Sequence, residues 1–117
     1  FNKAAFDFIR EVKNRHRVVY LISGSHQILV DQMAKYLNIF FESFGTRNNF
    51  NMVGKNKVQF IKENLKIHDF DYLGNSHQDL PIWKYTKRAI HTNASQKLIK
   101  TIKLQDIENQ EIPAKFS

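Results

Sequence analysis

The chain has 117 residues, 42% of them hydrophobic and 13% aromatic, which is room and material for one domain with a modest core rather than a disordered segment. It contains no Cys, so a disulfide framework, a thiolate zinc site and a cysteine nucleophile are all excluded. Eighteen basic residues against eleven acidic ones leave a net charge of +7, a balance that favours anionic partners such as phosphate esters, nucleic acid or an acidic lipid surface.

No apolar run approaches the ~18 residues that a membrane-spanning helix needs, so a soluble segment is expected, cytoplasmic or the cytosolic part of a membrane protein. Phe1 opens no signal-peptide pattern and is not an initiator Met, which suggests an internal piece of a longer protein.

In residues 1–15, Ala5, Phe8, Ile9 and Val12 recur at helical spacing, with Lys3, Arg10, Lys13 and Arg15 elsewhere on the cylinder, which predicts an amphipathic helix. Val18, Val19, Tyr20, Leu21 and Ile22 then form a short, β-branched run without polar alternation. Such a run predicts a strand of a parallel sheet, buried on both faces. It ends in Ser23-Gly24-Ser25, and Ser25 is the expected N-cap of a helix to Leu37 whose apolar stripe is Ile28, Leu29, Met33 and Leu37.

Residues 40–44 predict a weaker strand, and 45–51 a polar loop. A helix over 54–65 carries Val58, Phe60, Ile61 and Leu65 among lysines, and 70–73 predict a short strand closed by Gly74-Asn75-Ser76. Asp79 is placed to cap a helix that has Pro81 in its first turn and runs to about Arg88, with a last strand at 89–92. Residues 95–117 read equally as strand, helix or linker. The order is one α/β domain over 1–117, a Rossmann-like parallel sheet flanked by helices, with its ligand crevice at the carboxyl ends of the strands.

Three polar turns would converge at that edge: Ser23-Gly24-Ser25, Gly54-Lys55-Asn56-Lys57 at a helix start, and Gly74-Asn75-Ser76-His77-Gln78-Asp79. A hydroxyl, an ammonium and a carboxylate would then meet around one phosphate-sized anion. Each has a plainer role too. Ser23 and Ser25 suit turns and caps, Lys55 and Lys57 suit solvated surface, Asp79 suits a helix cap, and Trp83 suits the core. The five His, at 16, 26, 68, 77 and 91, have no zinc-ligand spacing, and no recognition-helix or RNP-like pattern supports a nucleic-acid partner.

The ordered set of a strand ending in Ser-Gly-Ser, a G-x-x-K helix start and a G-(D/N)-S-x-x-D loop resembles motifs two, three and four of the haloacid dehalogenase (HAD) superfamily. The loop from Gly74 to Trp83 is especially similar to that of the HAD-like domain attached to UbiA-type polyprenyl transferases. The resemblance implies a phosphatase-like hydrolase domain in which Ser23 and Gly24 bind the transferred phosphoryl group and Lys57 neutralises it. It implies that Asn75 and Asp79 hold magnesium. The implied substrate is a phosphorylated small molecule or an isoprenoid phosphate, and the implied neighbour is a transmembrane prenyltransferase region outside this chain.

Asn75 departs from the family's Asp, and the D-x-D-x-T segment that supplies nucleophile and acid/base does not occur ahead of Ser23. The isolated chain is therefore expected to be inactive. In the family the strand bearing that segment lies mid-sheet, so its absence predicts a gap between 18–22 and 70–73. A strand from another segment or chain, a rearranged sheet or a homo-oligomer would answer the gap. The alternative function is a non-catalytic binding module for an anionic partner.

Overall fold

The structure is a computed structural model that describes residues 3–112. It opens with helix α1 (Lys3–Asn14), strand β1 (Tyr20–His26), helix α2 (Gln27–Leu37) and strand β2 (Glu42–Thr46). Helix α3 (Gly54–Gln59) runs on into a π-helical turn, Phe60–Asn64, closed by Leu65 N–H donating to Phe60 O at 3.1 Å. Strand β3 (Asp71–Gly74), a 3-10 turn (His77–Asp79), helix α4 (Leu80–Trp83), strand β4 (Arg88–Thr92), helix α5 (Gln96–Leu104) and strand β5 (Asn109–Ile112) complete it. The fold is α/β, with parallel strands flanked by helices in a Rossmann-like arrangement.

The sheet is in two pieces: β1 pairs with β2, and β3-β4-β5 form a second group. The second group holds the best-packed core. Side chains alternate faces along β4, so Ala89 packs with Trp83, Leu98 and Ile102 beneath α4 and α5, while Ile90 packs with Ala4 and Ile112 beneath α1. The Trp83 indole N–H also donates to Tyr72 O at 2.9 Å, which ties α4 to β3 and bears out its core assignment. Residues 96–112, left open by the sequence, are thus a helix and a strand that the core depends on.

The β1–β2 piece departs from expectation. Val18 is 61% exposed and Tyr20 to Ile22 are only half-buried, not enclosed on both faces. On α2 the buried residue is Val30, while Ile28, Leu29 and Met33 of the expected stripe face solvent. A two-stranded half-sheet is about as wide as one helix, too narrow to cover a full apolar stripe. What it does cover is set by Gly45, where an added Cβ would lie 2.7 Å from Val30 Cγ2 and 2.6 Å from Ser25 O. The far side of β2 is sealed by aromatics, with Phe44 between Tyr20 (6.3 Å) and Phe60 (4.8 Å).

Several ends differ by a cap. The N-cap of α2 is His26, not Ser25: its Nδ1 accepts from Ile28 N–H at 3.2 Å. The helical segment after β3 is capped by Ser76, with Asp79 reaching back from the third position in a capping box. Its α-helical part stops at Trp83, because the chain must turn to enter β4 at Arg88. Asn38, Asn93 and Asp106 take the left-handed conformation at element ends, which their short polar side chains tolerate.

Candidate functional site

The carboxyl ends of β1 and β3 and the first turn of α3 do come together. Thr46 Oγ1 donates to Gly24 O at 2.7 Å and accepts from Met52 N–H at 2.9 Å, joining the ends of β1 and β2 to the segment that leads into α3. A Cβ on Gly24 would lie 2.8 Å from Val53 Cγ1, so glycine is what lets β1 approach the start of α3. Gly54 opens that helix at φ +51°, in left-handed space that glycine enters without penalty.

Lys57 is the unexpected part. Instead of lying solvated on the surface it is 8% exposed, while Lys55 in the same turn is exposed. Its Nζ donates to Tyr72 Oη at 2.9 Å and sits 5.5 Å from the centre of the Tyr72 ring. Tyr72 Oη in turn donates to Asp79 Oδ1 at 3.3 Å. Ammonium, phenol and carboxylate therefore form a chain, with the phenol standing between the two charges. No direct ion pair joins Lys57 to Asp79.

Burial, partly offset by the Asp79 charge, holds the Lys57 ammonium below its ordinary range. Burial, the Asp79 charge and the hydrogen bond to Asp79 all hold the Tyr72 phenol well above its own. Tyr72 is the functional residue that sequence reasoning missed. Inside a short strand its ring reads as core, and only its position two residues before Gly74, on the face that α4 covers, would have flagged the hydroxyl.

Asp79 holds the loop as well as the chain: Oδ2 accepts from Asn75 N–H at 2.9 Å and Ser76 N–H at 3.1 Å. Its carboxylate occupies the space where a Gly74 side chain would be, so Gly74 is required for the loop to close. Beside Gly74 in the sheet register is His91, 1% exposed, with Nε2 3.4 Å from Asn109 Oδ1 and Nδ1 without a partner.

The other predicted residues lie at the same edge without joining this chain of contacts. Ser23 Oγ accepts from Ser25 N–H at 3.1 Å, and the Asn75 side chain is exposed. As a magnesium site the set does not fit. It offers one carboxylate already accepting three hydrogen bonds and one neutral amide, and among the described residues no group of three metal-ligating side chains occurs.

Comparisons with known proteins add a relative but no function. No family model and no solved structure matches the chain. A protein of Sinorhizobium fredii, the uncharacterized protein y4nM, is 28% identical over 90 residues, which is 77% of this chain but 17% of that protein. The chain thus corresponds to a small part of a much longer relative.

Proposed function

We propose that this chain is the later part of a HAD-type phosphohydrolase domain, carrying the phosphate-handling edge and not the nucleophile. The observation that carries the reading is Lys57, a cation held under the carboxyl edge and linked through Tyr72 to Asp79. A buried ammonium fixed at that edge stabilises a phosphoryl group by charge alone, with no covalent work. Ser23, on the turn that abuts the start of α3, supplies a hydroxyl to the same edge. The substrate class is a phosphorylated small molecule or isoprenoid phosphate. Magnesium enters only with carboxylates beyond Asp79, which the missing D-x-D-x-T segment would bring.

If the resemblance to the prenyltransferase-linked domain holds, the domain sits on the cytosolic side beside a membrane region. Among the described residues no helix is long and apolar enough to cross a membrane.

The second reading is an anion-binding module without catalysis, favoured by the full commitment of Asp79 to Tyr72 and the loop amides. Phosphate titration followed by 31P and amide NMR, alongside p-nitrophenyl phosphate hydrolysis with magnesium, separates the two. Both readings expect saturable phosphate binding that Lys57→Met abolishes, and background hydrolysis by this chain. Hydrolysis gained on adding a D-x-D-x-T strand supports the enzyme reading, and binding without that gain supports the module. Phosphate shifts indifferent to Lys57→Met would sink both.

A further inference from the structure

Of the three groups in the Lys57–Tyr72–Asp79 chain, two are anchored from outside it. The Tyr72 ring packs against the buried cluster of Trp83, Ala89, Leu98 and Ile102, and its backbone oxygen accepts from the Trp83 indole. Asp79 is held on its other oxygen by the Asn75 and Ser76 amides and sits closely against Gly74. Lys57 is the member with bonding capacity to spare. An ammonium has three donors, and among the described residues Tyr72 Oη is the acceptor that its Nζ meets.

The order of the chain is not the one that charge alone would choose. A buried Lys with a carboxylate nearby ordinarily takes it as a direct, charge-assisted partner. Here the phenol stands between them, 2.9 Å from Nζ and 3.3 Å from Asp79 Oδ1. Burial and the Asp79 charge hold that phenol well above its ordinary range, so it stays a neutral O–H that accepts from the ammonium and donates to the carboxylate. A neutral spacer leaves the ammonium its charge and two of its N–H groups. Two oxygens of one anion match that remainder.

The ring adds to the separation. Nζ lies 5.5 Å from its centre, a cation–π distance that draws the ammonium toward the ring rather than past it to the carboxylate. Because the ring belongs to the packed core, the spacer does not drift as a loosely held side chain would. Without the hydroxyl, nothing bridges Nζ and Oδ1, and the flexible stem of a Lys can close the distance. The direct pair that results would satisfy the ammonium internally and withdraw it from the carboxyl edge.

We propose that Tyr72 is a positioning residue for an anion site: its hydroxyl keeps the Lys57 ammonium apart from the Asp79 carboxylate, and so keeps the cation available to a tetrahedral oxyanion such as a phosphate group. This deepens the reading of the edge as phosphate-handling and rests on it. Tyr72 touches no ligand in this role; it acts through Lys57.

The test compares the 117-residue chain with Tyr72→Phe, Asp79→Asn and the double variant. Inorganic phosphate is titrated by 31P NMR, and the ammonium is followed at mildly acidic pH through the hydrogen-bond coupling of Lys57 15Nζ to Asp79 13Cγ. Tyr72→Phe is expected to weaken phosphate binding by about tenfold or more and to bring up a Lys57–Asp79 coupling that the parent lacks. Asp79→Asn should recover most of that loss in the Tyr72→Phe background, a larger change than it makes with Tyr72 present. Its amide oxygen still serves the loop N–H groups, while no negative charge faces Lys57. If Tyr72→Phe does not fold, Tyr72→Met is read in the same way. Phosphate affinity indifferent to the hydroxyl would overturn the proposal. So would a loss that Asp79→Asn does not recover, since Tyr72 would then touch the anion itself or merely hold the fold. The coupling needs no ligand: a parent chain that binds no phosphate ends the phosphate reading, whereas a parent with Lys57 already coupled to Asp79, or a Tyr72→Phe variant without that coupling, ends this one.

Discussion

The two pieces of the sheet reach different degrees of burial. β4, between two strands and two layers of helix, buries Ala89, Ile90, His91 and Thr92 in succession. β1 comes from a more apolar run, yet with a partner on one side only it leaves Tyr20 to Ile22 partly exposed. Burial is a property of the neighbours a strand has, and the apolar content of the 18–22 run exceeds what its present neighbours can cover.

Substitutions measure this contrast most directly. Trp83→Ala, in the closed half, is expected to cost ~3–5 kcal/mol, enough to unfold much of a domain of this size. Leu21→Ala, in β1, is expected to cost no more than about 1.5 kcal/mol, because part of its surface is already in water. Denaturant midpoints for the pair check the ratio, and equal losses would mean that β1 is packed as well as β4.

Gly74→Ala comes next. The added methyl displaces the Asp79 carboxylate and should cost ~1–3 kcal/mol. It should also loosen the loop, visible as faster exchange of the Asn75 and Ser76 amides. The same variant should weaken phosphate binding if the Lys57–Tyr72–Asp79 chain organises the edge, and leave it untouched if Lys57 acts alone.

The alkaline limb of stability sharpens the contrast further, because both shifted groups lie where the two pieces of sheet meet the α3 helix. The phenol of Tyr72 is raised in the folded chain, so above its unfolded value near 10 the folded state holds a proton the unfolded state has lost, and stability falls as pH rises. Lys57 is lowered, so between its folded value and 10.5 the unfolded state binds the extra proton, and stability rises with pH there. Tyr72→Phe should flatten the alkaline loss, and Lys57→Met should steepen it. Chemical denaturation between pH 8 and pH 11 reads both slopes, and identical slopes would mean that neither group is perturbed.

The smallest effect is expected on α2. Leu29→Ser or Met33→Ser should change stability by under ~0.5 kcal/mol, since both side chains already face solvent.

Much of this was legible in the sequence, for identifiable reasons. The β-branched runs and the Gly-rich turns gave the order of helices and strands, and Gly-x-x-Lys and Gly-Asn-Ser-x-x-Asp marked Lys57 and Asp79. What stayed hidden depended on partners distant in sequence. His26 displaced Ser25 as a cap because its Nδ1 reaches Ile28 N–H from one residue nearer the helix. Tyr72 is only one residue of a predicted short strand, because nothing local shows that Lys57 and Asp79 flank its hydroxyl. α2 presented a plausible apolar stripe, but the half-sheet beneath it is too narrow to bury that stripe.

The account's central claim is that one half of this fold is closed and the other stands open along the facing edges of β1 and β3, the walls of a cavity of about 610 Å³. Native-state hydrogen exchange on the chain tests it amide by amide. The claim predicts that the Ala89 and His91 amides exchange only through global unfolding, while those of Tyr20, Ile22, Asp71 and Leu73 exchange through local opening, at least a hundredfold faster. Equal protection of the β1 and β3 amides and those of β4 would contradict it.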